Sequence, residues 1–486
     1  MFKEKSTVNS KLVSLVPADV ARQYNIAPLE LRDGCLVIAI ENQKNYMLLN
    51  ELRLKTGIQI IPKKLNRADI QQIILQLYPS DISLDNFSFE NEEIENAQIE
   101  EDDSAPIIRL VNDLIFNAIE RGASDIHFDP QEQEMIVRVR IDGELRELKV
   151  LPGSLKSQVV SRLKIISSLN ITETRIPQDG RGIFKNGYHV TDLRISILPT
   201  VHGEKVVIRI IDRAVGIRSL EKFGFSTSNL NKLKHLLAQP HGIILVTGPT
   251  GSGKSSTLYA ALNTLNNPNI NIITVEDPVE YQVPGINQVA VNKDVGLTFA
   301  SGLRSILRQD PDVIMLGEIR DTETAEIAIR ASMTGHLVLS TIHTNDSIST
   351  VNRLVDMQIE PFLVSSSLAG ILSQRLVRTI CQDCRVERAA SFEENNILEK
   401  HQLHSSILFE GRGCSKCDFT GYRGRIAIHE LLVVTDELRK KISQQETDEN
   451  IKQYLEKQNM EFLINDGFSK VLSGDTTIEE VLKVVV

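Results

Sequence analysis

Gly248-Pro249-Thr250-Gly251-Ser252-Gly253-Lys254-Ser255 is the stretch on which the rest of this chain turns. It is a complete G-x-x-x-x-G-K-S loop, preceded by the apolar run Ile243 to Thr247 and followed by a helical stretch from Ser256 to Leu265. Glycines at these positions let backbone N–H groups turn inward around phosphate oxygens, at the positive end of the following helix. In such a loop Lys254 reaches the β- and γ-phosphates and the Ser255 hydroxyl ligates Mg²⁺. ATP and Mg²⁺ are therefore the expected ligands, with the loop residues and Ser256 around the phosphates.

Working outward, short apolar strands at Ile243 to Thr247, Ile272 to Val275, Val313 to Leu316 and Leu337 to Thr341 alternate with helical stretches, the pattern of a parallel α/β sheet. Such a sheet gathers its ligands at the carboxyl ends of its strands. Two acidic candidates fall there: Glu276-Asp277 after the second strand, and Glu318 after the third. Either is an ordinary strand-end acid or a group serving metal and water, and the loop favours the second reading. His336 and His343 flank the fourth strand; histidines at a sheet edge are commonly structural, but His343-Thr344-Asn345 stands where a γ-phosphate could be sensed.

Before this sheet lie two other textures. Residues 1–80 read as a small mixed domain, with a strand at Leu36 to Ile40 and Ile70, Ile73, Ile74 and Leu77 at helical spacing. Between Asp81 and Ser104 come ten acidic residues and no basic one, a linker composition that reads as a solvated tether or a docking segment. A second unit over 106–220 opens at Pro106 with apolar residues at 3- and 4-residue spacing. It continues through the alternating strand Met135 to Ile141 into Asp142-Gly143, a tight hairpin signal, and on to strands at Thr191 to Ile197 and Val206 to Ile211. That is a helix-plus-antiparallel-sheet domain, with the α/β domain following over 221–486.

The whole chain has 54 Lys and Arg against 64 Asp and Glu, so the acidic stretch alone accounts for the net charge of -10. The remainder is neutral, which weighs against a nucleic-acid translocase, whose footprint is a basic excess. No run of 18 apolar residues spans a membrane and the first residues lack a signal-peptide core, so a cytoplasmic location is expected. Four of the five cysteines form two C-x-x-C pairs, Cys381/Cys384 and Cys414/Cys417. In that setting they point to metal or redox chemistry before structural disulfides, and four thiolates suit a tetrahedral structural Zn²⁺. Reduced thiols without metal are the plain alternative.

Beyond the loop, several segments resemble the secretion ATPases of type II secretion and type IV pilus assembly, a superfamily of hexameric motors. ITVEDPVEY (273–281) is similar to the family's Asp box, GLTFASGLRSILRQDPDVIMLGEIRD (296–321) to its Walker B region ending in Glu318, and TGHLVLSTIHTND (334–346) to its His box. GASDIHFDP (122–130) and PQDGR (177–181) resemble signatures of the domain before the motor. LVPADVARQY and its surroundings resemble the N-terminal domain of assembly and secretion members, and GYRGRIAIHELL (421–432) continues the likeness. The resemblance implies a RecA-like motor domain preceded by a PAS-like α+β domain and a small N-terminal α/β domain, with a four-cysteine zinc knuckle at about 378–425. It implies a homohexamer that is peripheral to the inner membrane through platform and docking proteins. It also places Arg194 and Arg209 on the nucleotide phosphates when the domains close. Both arginines sit in apolar strands and need an anionic partner, which a carboxylate elsewhere would equally supply.

Within that superfamily, the N-terminal domain and the cysteine knuckle favour an assembly or secretion motor over a retraction motor. EPFLVSSSLAGILSQRLVR (360–378) leans towards the secretion branch, with a pilus or competence motor as the alternative. The R-L-G-x-x-L pattern with which some pilus-branch relatives bind cyclic di-GMP is not found, so that ligand is not expected. A scaffold that binds ATP without hydrolysing it is a further reading. Of the two strand-end acids, Glu318 is expected to orient the attacking water and Glu276 to support metal and water.

Overall fold

The computed structural model describes residues 15–16, 21, 26–32, 35–40, 53, 58–65, 70, 73, 77, 106–186, 189–212 and 219–485. The acidic stretch and Ile74 lie outside them. Two compact units divide the chain, residues 1–102 and 103–486.

In the first unit, β1 (Ala27–Arg32) pairs antiparallel with β2 (Cys35–Ile40), and β3 (Gln59–Lys64) runs parallel to β2. Every residue of β2 after Cys35 is buried, and Leu36, Ile38 and Ile40 meet Val16, Ile26 and Ile70 in one small core. Ile70, Ile73 and Leu77 are helical, as their spacing predicts.

The second unit opens with a helix, Pro106–Glu120, that buries Leu110, Val111, Leu114, Ile115 and Ala118. It precedes a six-stranded antiparallel sheet of β4 (Asp125–Pro130), β5 (Glu134–Ile141), β6 (Glu144–Pro152), β7 (Gln178–Asn186), β8 (His189–Thr200) and β9 (Gly203–Asp212), in the order β6-β5-β4-β9-β8-β7. Met135, Val137, Val139 and Ile141 of β5 are buried and their neighbours are not, the period-2 pattern of a sheet with one covered face. Asp142 and Gly143, at φ 51° and 92°, make the two left-handed steps that a two-residue hairpin turn requires.

The larger sheet contains β10 (Gly242–Thr247), β11 (Ile272–Glu276), β12 (Asn287–Ala290), β13 (Val313–Leu316), β14 (Leu337–Ile342) and β15 (Leu368–Ile380). Its order is β12-β11-β13-β14-β10-β15-β18, where β18 is Tyr422–Val433; all neighbours are parallel except β15 and β18. Helices cover both faces, so the central strands are continuously apolar. In β10, Ile243 and Leu245 enter one core while Ile244 and Val246 enter the other. The short hairpin β16 (Arg385–Ala389) with β17 (Ile407–Gly411) interrupts the long β15–β18 pair and carries the cysteine loops.

His429 of β18 is fully buried and stacked on Phe225, ring centroids 3.7 Å apart. Neither ring nitrogen has a partner among the described residues, although its backbone N–H donates to Asp466 Oδ2 at 2.7 Å. Burial, helped by the nearby Lys470 charge, pushes this imidazole well below its ordinary 6.5. The unfolded chain therefore takes up a proton that the folded one refuses. Stability is full above about pH 6.5 and falls below it, by up to about 1.4 kcal/mol per pH unit for one such proton. Denaturant melts between pH 7.5 and 5.5 should show a smaller loss in His429→Phe, which keeps the stack, than in the parent. Equal losses would assign the acid sensitivity to other groups.

Candidate nucleotide site and cysteine cluster

The loop after β10 is shaped from both sides. Gly248 lies at φ 147° against the long strand β15, where an added Cβ would sit 2.4 Å from the Gln374 carbonyl oxygen. Gly253, at φ 88°, turns the chain into the helix Lys254–Leu265, which therefore begins two residues earlier than the apolar periodicity indicates. Gln374 is fully buried and braces the loop, accepting from Thr257 Oγ1 (2.7 Å) and donating to the Ser252 carbonyl (2.7 Å). Thr247 ties the loop's base to the strand beside it through Thr344 N, which donates to its hydroxyl at 3.0 Å.

Lys254 Nζ lies over this loop, donating to the carbonyls of Gly248 (2.8 Å) and Pro249 (3.0 Å). Burial holds its ammonium below the usual lysine range, with the Glu318 carboxylate pulling the other way. The Ser252 hydroxyl, buried beside Gly248, has no partner among the described residues. Thr250, Gly251, Ser255 and Ser256 are exposed at the loop and the first helical turn. A buried cation hydrogen-bonded to loop carbonyls, an orphaned hydroxyl, and a backbone closed to a Cβ at Gly248 and Gly253 fit a phosphate chain, with the Ser255 hydroxyl at hand for Mg²⁺.

Around the loop the predicted residues separate. Glu318, at the carboxyl end of β13, is mostly buried and salt-bridged to Arg320, with His343 Nε2 3.6 Å from its Oε2. His343 also lines a cavity of about 420 Å³ with Gly248 and Pro249. Glu276, at the end of β11, is buried and held on every side: it accepts from the Tyr259 hydroxyl, from Thr274 Oγ1 at 2.7 Å and from Gln288 Nε2 at 3.1 Å. Asp277 is more open and faces Lys293 at 3.6 Å.

His336 is a correction. It precedes β14, whose Leu337 pairs with Gly242 at the start of β10, so it stands at the amino edge of the sheet. About six residues of strand, roughly 20 Å, separate it from the loop, and its Nδ1 is occupied by the Ala331 carbonyl at 2.8 Å.

The two arginines are paired within the chain, as the carboxylate alternative allowed. Arg194 Nη2 pairs with Glu280 Oε2 at 3.1 Å and donates to the Val279 carbonyl at 3.2 Å. Arg209 pairs with Asp125 at 3.3 Å, and at 62% exposure its side chain does not carry the burial cost that pointed to a phosphate. Within the chain both arginines have carboxylate partners. The register also reveals a residue that sequence reasoning passed over. Arg181, Arg194 and Arg209 lie side by side across β7, β8 and β9, with Asp125 next in the row. Together they line a cavity of about 400 Å³. Its signal was the arginine of PQDGR.

Cys381, Cys384, Cys414 and Cys417 converge, all four sulfurs lying within 4.8 Å of one another. Three pairs are 3.8–3.9 Å apart, against ~3.8 Å for the edge of a tetrahedron with 2.3 Å Zn–S bonds. The donor set and spacing fit Zn²⁺, and no disulfide joins these thiols.

Comparison with known proteins agrees with this architecture. Residues 100–483 match the family model "Type II/IV secretion system protein", and residues 2–84 match the MshEN domain model. The type II secretion system ATPase E of Vibrio cholerae is 45% identical over 445 residues, covering 89% of this chain and 88% of that protein. The type IV pilus assembly ATPase PilB of Thermus thermophilus is 43% identical over 96% of this chain, which spans 54% of that longer relative. Among solved structures, the pilus retraction motor PilT with bound ADP aligns at a TM-score of 0.53 and 27% identity, covering 77% of this chain and 96% of PilT. The Legionella pneumophila ATPase DotB shares the fold at a TM-score of 0.57 and 20% identity, over 78% of this chain and 95% of its own. With a phosphate loop braced by its own sheet and a family match over most of its length, the chain belongs to the type II/IV secretion system protein family, as one of its ATP-hydrolysing motors.

Proposed function

We propose that this ATPase is the homohexameric motor of a type II secretion system. In this reading it works at the cytoplasmic face of the inner membrane and drives pseudopilus assembly through platform and docking proteins. The observation that carries the reading is the pairing of a phosphate loop with Glu318 at the adjacent carboxyl edge, in a chain that aligns with secretion ATPases along nearly their whole length. No helix among the described residues is long and apolar enough to cross a membrane, so the reading reaches the membrane through partners.

Glu318 accepts a hydrogen bond from the water that attacks the γ-phosphorus. The bond to the leaving ADP oxygen then breaks, and Lys254 faces the charge that gathers there. Mg²⁺, when bound, supplies further neutralisation of the β- and γ-oxygens, with the Ser255 hydroxyl as its ligand. His343 shares the Glu318 carboxylate and stands where a γ-phosphate is sensed. Arg181 and Arg209 form the anion-binding edge: on domain closure Arg209 exchanges Asp125 for phosphate oxygens and Arg181 joins it, while Arg194 keeps its grip on Glu280. An arginine brought to the transferring phosphate is worth roughly 10³ to 10⁵ in rate, so turnover depends on closure. That dependence is the coupling of chemistry to movement. The four thiolates hold Zn²⁺ as a brace.

A pilus-assembly motor is the second reading, favoured by the 43% identity to the Thermus protein across 96% of this chain. Chromosomal Lys254→Ala separates the two. Loss of secreted enzymes from the culture supernatant with surface pili intact is the expected result. Loss of pili, twitching or DNA uptake with secretion intact would move the protein to the pilus branch, and no change in either would sink the motor reading.

A further inference from the structure

One buried hydroxyl joins the arginine row to the strand-end acid. Tyr259 lies on the helix after the phosphate loop and is 2% exposed. Its oxygen receives the backbone N–H of Glu280 (3.2 Å) and of Tyr281 (3.3 Å). A phenol has a single proton to donate. With two N–H donors already directed at the oxygen, that proton goes to Glu276 Oε2. The other carboxylate oxygen is taken by Thr274 and Gln288, so the orientation of Glu276 is set by three side chains. Gln288 also touches the segment after Glu276, donating to the Tyr281 carbonyl at 2.9 Å and accepting from Val283 N at 2.8 Å, but Tyr259 is the one of the three that receives the backbone N–H groups of Glu280 and Tyr281.

The backbone that holds Tyr259 is held in turn from the antiparallel sheet. Arg194 donates to the Val279 carbonyl at 3.2 Å and grips the Glu280 carboxylate at 3.2 and 3.1 Å. The contacts therefore run without a gap from Arg194 through residues 279–281 and the Tyr259 hydroxyl to Glu276. Burial and the adjoining carboxylate raise the Tyr259 phenol above its ordinary range, which keeps it a donor.

We infer that Tyr259 is a positioning residue for ATP hydrolysis, transmitting the placement of the Arg194 strand to the carboxylate of Glu276. While Arg194 grips Glu280, segment 279–281 fixes the phenol and the phenol fixes Glu276. When Arg194 leaves, residues 279–280 lose their hold from the antiparallel sheet, Gln288 still holds residues 281–283, and the phenol that orients the carboxylate is less firmly placed. The inference rests on the reading of Glu276 as a group that serves the reaction. A phenol that is merely a satisfied core residue would affect folding and leave turnover alone.

The test uses the full chain, measuring steady-state ATP turnover, ATP binding and thermal melting. Tyr259→Phe is expected to lower kcat about tenfold or more while KM for ATP moves less than threefold, the mark of an interaction made in the transition state. Glu280→Gln, at a partly exposed position, is expected to lower kcat about threefold to tenfold, with unchanged melting. The double variant should be no slower than Tyr259→Phe alone, since both changes cut one chain of contacts. A kcat within twofold of the parent for Tyr259→Phe, or losses that multiply in the double variant, would overturn the proposal. If Tyr259→Phe melts well below the parent, Glu280→Gln decides, and a parent-like kcat there overturns it. Glu276→Gln tests the underlying reading separately: full turnover in that variant removes the role of Glu276 whatever Tyr259 does.

Discussion

Glu318→Gln is expected to stop ATP turnover and leave ATP binding in place, with kcat lower by about 10² to 10³, the range for removing one aligned group from a charge-stabilising site. A non-hydrolysable analogue should bind within about threefold of the parent affinity. The split follows from where the group sits. Glu318 is at the end of β13, outside the backbone loop that cradles phosphate, and the Lys254 ammonium is held by two carbonyls of the loop itself. Binding therefore keeps its donors. Gln keeps the size of Glu but replaces one acceptor oxygen with an NH₂ donor, so it cannot both accept from a water and hold the Arg320 and His343 side. Stability should barely change, because Arg320, 60% exposed, returns to water when its partner is lost. Turnover near the parent rate would return the catalytic role to Glu276, or leave a chain that binds ATP as a scaffold.

What could be read before the fold was known follows a physical division. The phosphate loop and four parallel strands were legible because their signals are local: glycines where the backbone must turn, and continuous apolar runs where both faces are covered. The cysteine cluster was legible for the same reason, since four thiols in two short-spaced pairs have few other uses. His336 was placed at the site because it flanks the right strand, yet strand polarity alone excludes it: a residue preceding a parallel strand lies at the edge opposite the ligands. Gln374, Arg181 and Tyr259 were out of reach for another reason. Gln374 meets its loop across 122 residues, and Arg181 joins Arg194 and Arg209 only through strand register. Arg194 and Arg209 were read as awaiting an anion, and they do have one, but the carboxylates of Glu280 and Asp125 are long-range partners that periodicity does not carry.

Replacing Cys384 and Cys414 together by Ser, or stripping the metal with a strong chelator, is expected to undo the region between β15 and β18 while the phosphate loop still binds ATP. Four-thiolate zinc sites contribute on the order of 10 kcal/mol to the fold of the segment they close, more than the short β16–β17 hairpin can supply by its own packing. The loss should spread along specific contacts. Gly424 N donates to Asp142 Oδ2 at 2.7 Å, Arg378 pairs with Glu144 at 2.6 Å, and Asp418 lies 3.8 and 3.9 Å from Arg121 and Arg146. All four partners belong to the β5–β6 hairpin and the end of the helix before the antiparallel sheet. A loosened knuckle should therefore free that sheet as well as its own loops, giving new protease cuts both near 381–421 and around Asp142. Native mass spectrometry should find one zinc per chain in the parent and none in the double variant. A parent without metal, or a double variant with unchanged proteolysis, would reduce the four cysteines to packed thiols. New cuts at 381–421 alone would limit the zinc to a local brace, with the antiparallel sheet held by its other contacts to the motor, those of Arg194 among them.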